Sequence, residues 1–119
     1  MKIVAIGGGP AALYFGILMK EPDPAHEITI LERNRLDDTF GFGVVFSDAT
    51  QNNHEAADPE TYASLAHEFF HWDDIDIHYR GAVIRSGGHG FSGLSRRKLL
   101  QVLGTRCKEL GVCVEVGED

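Results

Sequence analysis

An α/β fold built on parallel strands is predicted by three observations on this chain. A continuous apolar run at residues 2–6 passes through Gly7-Gly8-Gly9 into a helical pattern that opens with Pro10. A second apolar run, residues 27–31, follows one helix later, and Glu32 stands at its end. Strands joined in parallel need a crossover of this kind, and a right-handed βαβ unit is expected.

The first run lacks alternation, which predicts a strand buried on both faces. The helix is expected over residues 10–20. Pro10 sits in its first turn, where no amide is needed, Leu13, Ile17 and Leu18 form an apolar stripe, and Pro22 and Pro24 stop it. Residues 33–46 read as a loop rich in Asn, Asp and Gly. Two polar helical stretches follow, one from Ser47-Asp48 and one from Pro59-Glu60 to about Phe69, with Asp58 as the N-cap of the second. Ile75, Ile77 and Tyr79 alternate with polar residues and predict a half-buried antiparallel strand. Gly81 turns the chain, and residues 82–85 return as a β-hairpin partner. A second glycine-dense segment, residues 86–93, leads to Ser95 as an N-cap and to a helix over residues 96–110. Gly111 ends that helix, and residues 112–116 form a last strand.

The glycine turn carries the functional signal. Gly7 permits a tight turn, and Gly9 has no side chain to block an approaching phosphate. The helix that follows aims free amides and the positive end of its dipole at an anion. Pro10, Ala11 and Ala12 complete this turn, with Ala12 where a third glycine is usual. Glu32, 25 positions after Gly7, has the spacing of a carboxylate that accepts from ribose hydroxyls. An ordinary strand-turn-helix with a glycine-rich connection is the plain alternative. Dinucleotide binding is preferred because strand, turn, helix and acid agree. Glu32 repels a 2′-phosphate, which disfavours NADP at this position, while FAD and NAD both keep a free diol.

The 119 residues are enough for one domain but few for a complete dinucleotide enzyme. A net charge of −7 argues against a nucleic-acid partner. Arg80, Arg85, Arg96, Arg97 and Lys98 nevertheless gather late in the chain. Arg96, Arg97 and Lys98 open a helix, where cations oppose the dipole unless an anion is near; a solvated basic helix start is the alternative. Cys107 and Cys113 have neither metal spacing nor a disulfide pattern, which predicts thiols in a reducing, cytoplasmic setting. No apolar run is long enough to span a membrane, so a membrane partner is not expected. The residues carry no signal for oligomeric state.

Residues 67–71, His-Glu-Phe-Phe-His, fit the two-histidine zinc pattern. The pattern is disfavoured because a strand is expected immediately after it. The longer zinc motif also lacks its glycine, and His78 comes one position late. No metal is expected.

The residues also resemble a known family. Gly7-Gly8-Gly9-Pro10-Ala11-Ala12-Leu13 looks like the FAD-binding opening of the single-component flavoprotein aromatic monooxygenases. Arg96-Arg97-Lys98-Leu99 with Leu103 matches their Arg-x-x-Leu-x-x-x-Leu helix. Residues 23–29, Glu32-Arg33-Asn34, residues 39–48 and residues 84–91 resemble the N-terminal part of the members that hydroxylate salicylyl-CoA or 2-aminobenzoyl-CoA. Phe42 replaces the family's usual tryptophan, and Ala12 replaces a glycine.

The resemblance implies an FAD/NAD(P)-binding, Rossmann-like α/β fold. Its form would be a three-layer parallel sheet with a β-hairpin insertion, truncated here, so that residues 1–119 are the N-terminal part of one FAD-binding domain. It implies FAD as cofactor, NAD(P)H as reductant, O₂ as oxidant and an aromatic CoA thioester as substrate. Gly7, Gly9, Pro10, Ala11 and Ala12 would hold the pyrophosphate, and Glu32 the adenosine ribose. Arg33 would lie on the adenine side, Arg96 against phosphate or flavin, and Gly43, Val44 and Val45 along the flavin edge. His89 is a further candidate for reaching flavin or substrate. An NAD-dependent dehydrogenase and a non-catalytic dinucleotide-binding fragment remain as alternatives. The isolated chain is expected to be inactive.

Overall fold

The computed structural model describes residues 1–35, 38 and 41–117. Leu36, Asp37, Thr39, Phe40, Glu118 and Asp119 lie outside the described residues, and with them part of the loop expected over residues 33–46 and the start of the 39–48 resemblance. In chain order the elements are β1 (Lys2–Ile6), α1 (Pro10–Lys20), β2 (Glu27–Glu32), β3 (Gly43–Ser47), α2 (Asp48–Ala57) and α3 (Pro59–Ala66). They continue with β4 (Phe70–Trp72), β5 (Ile75–Tyr79), β6 (Ala82–Ser86), β7 (Phe91–Ser95), α4 (Arg96–Leu110) and β8 (Cys113–Val116). The chain divides into two compact units, Met1–Phe42 with Ser95–Asp119, and Gly43–Leu94.

In the first unit the strands run in the order β1-β2-β8, all parallel, with Val4 opposite Thr29 and Ile30 opposite Val114. Leu13 and Ile17 of α1, Leu99, Leu100, Leu103 and Cys107 of α4, and Ile28 and Ile30 of β2 form the core. Gly16 sets how closely α1 approaches the sheet: a Cβ there would stand 3.2 Å from Val112 Cγ1 and 3.4 Å from Ile30 Cδ1. Cys107 Sγ donates to the Leu13 carbonyl at 3.3 Å, and Arg106 reaches Glu21 at 3.5 Å, so α1 and α4 are tied to each other.

β1 departs from the expectation of burial on both faces. Burial alternates along it, and Val4 and Ile6 are 59% and 81% exposed. Among the described residues α1 and α4 cover only the face of Ile3, Ala5, Ile28 and Ile30.

The second unit contains a three-stranded sheet in the order β3-β7-β4 and the two-stranded hairpin β5-β6. α2 is capped by Ser47, which accepts from the Thr50 amide at 3.2 Å. Buried Asp58 caps α3, accepting from the Thr61 amide at 3.1 Å and from the Thr61 hydroxyl. The hairpin turns through Arg80 (φ +47°) and Gly81 (φ +78°), the left-handed pair that a two-residue hairpin loop favours.

Two strands, β3 and β7, fall where the sequence predicts no strand, and β4 begins directly after the helix expected to about Phe69, two residues before the strand expected after His71. β3 and β7 contain glycine, which lowers strand propensity but permits close approach. A Cβ on Gly43 would stand 3.1 Å from the Leu94 carbonyl oxygen, and one on Gly93 3.2 Å from the Trp72 ring. The half-burial expected for β5 also fails, because Ile77 and Tyr79 are 52% and 60% exposed. No helix among the described residues is long and apolar enough to cross a membrane.

Candidate functional site

The glycine turn at the end of β1 builds the site in the first unit. Gly7 takes φ +96°, which is costly for any residue with a side chain, and its amide donates to the Leu31 carbonyl at 2.8 Å. This bond fixes the exit of β1 against the end of β2. Gly9 then caps α1 with no side-chain hydrogen bond, and Pro10 occupies the first position. The first-turn amides at Ala11 and Ala12 therefore point out of the helix with no capping side chain to accept from them. A Cβ on Gly9 would meet nothing within 4 Å. Free amides, the positive end of the helix dipole and empty space coincide there, as binding an anion requires.

Glu32 faces the turn from β2. Its Oε2 accepts from the Gly8 amide at 2.6 Å and its Oε1 from the Asn34 amide at 2.9 Å. These amides, Asn34 first, hold its carboxyl below the usual carboxylate range against the opposing effect of desolvation. Gly8 is the residue missed in the sequence, where Gly7 and Gly9 drew the argument. A Cβ on Gly8 would lie 2.9 Å from Glu32 Cβ, so the middle glycine lets the carboxylate close on the turn. Each carboxylate oxygen accepts one amide and keeps capacity for another donor, so Glu32 still suits a diol.

Arg96 completes the wall. α4 starts there under the cap of Ser95, which accepts from the Lys98 amide at 3.1 Å. The Arg96 amide donates to the Phe42 carbonyl at 3.3 Å. Its guanidinium has no ion-pair partner among the described residues. Arg96 lines, with Gly8, Gly9, Glu32, Asn34 and Arg35, a cleft of about 80 Å³. Binding sites for whole small molecules run to about 300–1,000 Å³, so this cleft is too small to enclose a whole dinucleotide. Asn34 and Arg35 were also missed; their only signal in the sequence is that they follow Glu32.

The remaining candidates are placed differently. Arg33 is exposed and is not part of the cleft wall. Gly43, Val44 and Val45 open β3 in the second unit, with Val45 58% exposed. His89 serves its own unit: its Nε2 lies 2.8 Å from Ser86 Oγ, and its ring stacks on Phe91 at 5.9 Å. α3 ends at Ala66 and Phe70 begins β4, so His67 and His71 do not share the helical face that the zinc pattern needs. His71 lies instead 3.0 Å from Ser92 Oγ and 3.1 Å from Asp73 Oδ1. The two thiols differ as well. Cys107 is buried and pushed up to about 11 by desolvation, whereas Cys113 is exposed.

With this geometry established, comparison with known proteins identifies the relatives. No protein-family profile matches the sequence. Over 112 residues, 94% of this chain, it is 46% identical to salicyloyl-CoA 5-hydroxylase of a Streptomyces species. Over 117 residues it is 32% identical to 3-hydroxy-4-methyl-anthranilyl-[aryl-carrier protein] 5-monooxygenase of Streptosporangium sibiricum.

The chain is homologous to a segment of the aromatic monooxygenases.

It spans 22% and 33% of the length of these two relatives. Among solved structures, 2-methyl-3-hydroxypyridine-5-carboxylic acid oxygenase superposes on 98% of the chain with a TM-score of 0.82 at 18% identity, over 31% of its own length. Pseudomonas aeruginosa PqsL, in complex with 2-aminobenzoylacetate, gives the same TM-score at 12% identity, over 34% of its length. At such identities the likeness is one of fold, and it extends along nearly the whole chain.

Proposed function

We propose that this chain is the N-terminal FAD-binding segment of a flavoprotein monooxygenase that hydroxylates an aromatic CoA thioester with NAD(P)H and O₂. One observation supports this most: Gly8 and Gly9, at the uncapped start of α1, line one cleft with Glu32 and with Arg96, whose guanidinium has no ion-pair partner among the described residues. In this reading Gly7, Gly9, Pro10, Ala11 and Ala12 form the pyrophosphate turn, and Arg96 neutralises phosphate charge. Glu32 accepts from the ribose diol, Arg33 flanks the adenine, and Gly43, Val44 and Val45 run along the flavin edge. The chain is then part of a single FAD-binding domain of the three-layer, Rossmann-like kind, with the β5-β6 hairpin as its insertion.

Bound FAD would supply the redox and oxygen-activating chemistry. The residues of this chain bind and orient it. The helix start and Arg96 offset phosphate charge, and Glu32 distinguishes a free diol from a 2′-phosphate by repulsion. The CoA thioester is favoured by the identity to salicyloyl-CoA 5-hydroxylase, and an aryl group on a carrier protein is the variant suggested by the second relative.

The test is to purify the full-length protein and measure flavin absorbance and FAD affinity for the wild type and Arg96→Ala. A yellow protein whose affinity for FAD falls about tenfold in the variant is expected, the loss of one charge-assisted contact. A colourless protein that binds NAD in the same cleft would replace this reading with the dehydrogenase.

A further inference from the structure

A groove of about 460 Å³ continues the Gly8–Gly9 cleft along α4, and both belong to the first unit. The polar side chains that the proposed function leaves unused are grouped in the second unit. His71 on β4 stands opposite Ser92 on β7, with its Nδ1 3.0 Å from Ser92 Oγ and its Nε2 3.1 Å from Asp73 Oδ1. We propose that Asp73, His71 and Ser92 form a proton path from solvent to the interior of this unit, whose purpose rests on the hydroxylation proposed above.

The three groups are ordered by burial. The Asp73 and His71 side chains are 62% and 50% exposed, whereas Ser92 is 2% exposed. Imidazole and hydroxyl both donate and accept, so each can take a proton on one side and release one on the other. A proton taken up at His71 Nε2 from Asp73 or water is matched by one leaving Nδ1 for Ser92 Oγ, and the hydroxyl's own proton moves on inward. The ring ends neutral with its tautomer exchanged, and Ser92 ends as a hydroxyl. The starting tautomer is restored when Nε2 returns its proton to water and Nδ1 regains one by way of Asp48, a solvated carboxylate at the start of α2 whose Oδ1 lies 4.0 Å away.

The proposed reaction gives such a path a purpose. Replacing a ring C–H by C–OH with O₂ and NAD(P)H consumes one proton from solvent and yields one water and the oxidised nicotinamide. A reacting centre closed to water is also closed to protons, so positioned groups have to carry them. β7 lies between β4 and β3 in the sheet, so the buried end of the chain stands one strand from Gly43, Val44 and Val45, assigned above to the flavin edge. A cross-strand brace is already provided by the Ser92 contact; the second ring nitrogen, on Asp73, is what connects that contact to water.

The experiment uses the full-length enzyme with His71→Gln, which keeps hydrogen-bonding groups but cannot pass a proton between them, and with Ser92→Ala. In both variants kcat is expected to fall about 100-fold, the lower end of what a positioned acid or base contributes, with KM for the aromatic substrate and FAD affinity unchanged. The solvent deuterium isotope effect on kcat should grow, and added imidazole should restore most of the rate of His71→Gln. Unchanged kcat and isotope effect overturn the path. A slower enzyme with a lowered urea midpoint and no rescue by imidazole makes His71 a brace, which overturns it as well. A readout independent of turnover is ¹⁵N NMR of the His71 ring at neutral pH: exchange between two tautomers is expected, and a single fixed tautomer overturns the path. Should the protein bind no FAD, the function proposed above fails, while the NMR measurement still decides whether His71 relays protons.

Discussion

The two glycine-rich segments of this protein use the missing side chain for opposite purposes. At Gly7 and Gly9 in the first unit an added Cβ would meet nothing within 4 Å, so the glycines there leave space. In the second unit the space is already filled: a Cβ on Gly90 would overlap the Asp48 carboxylate, and one on Gly93 would press on the Trp72 ring. The first segment is open at Gly7 and Gly9 while Gly8 closes on Glu32, and in the second, Gly88 apart, Gly87, Gly90 and Gly93 make room for the protein's own residues. Core composition follows the same division. Apart from Leu65 and Leu94, every buried apolar residue lies in the first unit, whereas Gln51, Asp58, Thr61 and Ser92, the buried polar ones, all lie in the second.

Substitutions can break this comparison, and the largest effect is expected at Gly90. Gly90→Val places a branched side chain at φ +61° against Asp48 and should destabilise the protein by about 3 kcal/mol or more in urea unfolding. Gly9→Ala should do the reverse: stability within about 0.5 kcal/mol of wild type, since φ is −73° and no neighbour is met, but FAD affinity weakened by about 2 kcal/mol. If Gly9→Ala unfolds the protein or leaves FAD binding intact, the distinction between ligand space and packing space collapses.

Glu32→Ala should affect both properties, because the carboxylate accepts two amides and faces the cleft. A stability loss of about 1–2 kcal/mol is expected, with weaker FAD binding in addition. The pH dependence sharpens this. The folded carboxyl titrates below its ordinary value of 4.5, so its stabilisation is present above that value and is lost as pH falls through the lower folded value. Glu32→Gln should flatten that acid limb in pH-dependent unfolding.

The smallest effect concerns the thiols. Cys107 prefers the neutral form in the fold, at about 11 against an ordinary 9.0, so its contribution to stability is full below pH 9 and declines as pH rises towards 11. Cys107→Ser should remove that alkaline decline. In the native protein a maleimide should label Cys113 and spare Cys107.

Much of the site was legible in local sequence because it is local in the chain. The strand, turn and helix of residues 2–20 and the acid at Glu32 rest on backbone rules that act within a few residues, and α1 spans the predicted 10–20. The caps at Ser47, Asp58, Ser95 and Gly111 were legible for the same reason. β3 and β7 were not, because glycine in a strand is stabilised by what lies across from it, and Leu94 and Trp72 are far away in sequence. Nor could the sequence reveal that Gly8 is the glycine on which Glu32 closes, a contact spanning 24 residues.

By itself the sequence determined the βαβ opening, the uncapped, proline-led helix start and the kinship with aromatic monooxygenases, since backbone conformation and residue identity are written position by position. Only the tertiary structure decided that Arg96 shares a wall with Gly8 and Glu32, that a groove follows α4, and that α1 and α4 meet on one face of the sheet. Those facts depend on which distant surfaces meet, and pairing between distant segments is set by packing of the whole chain.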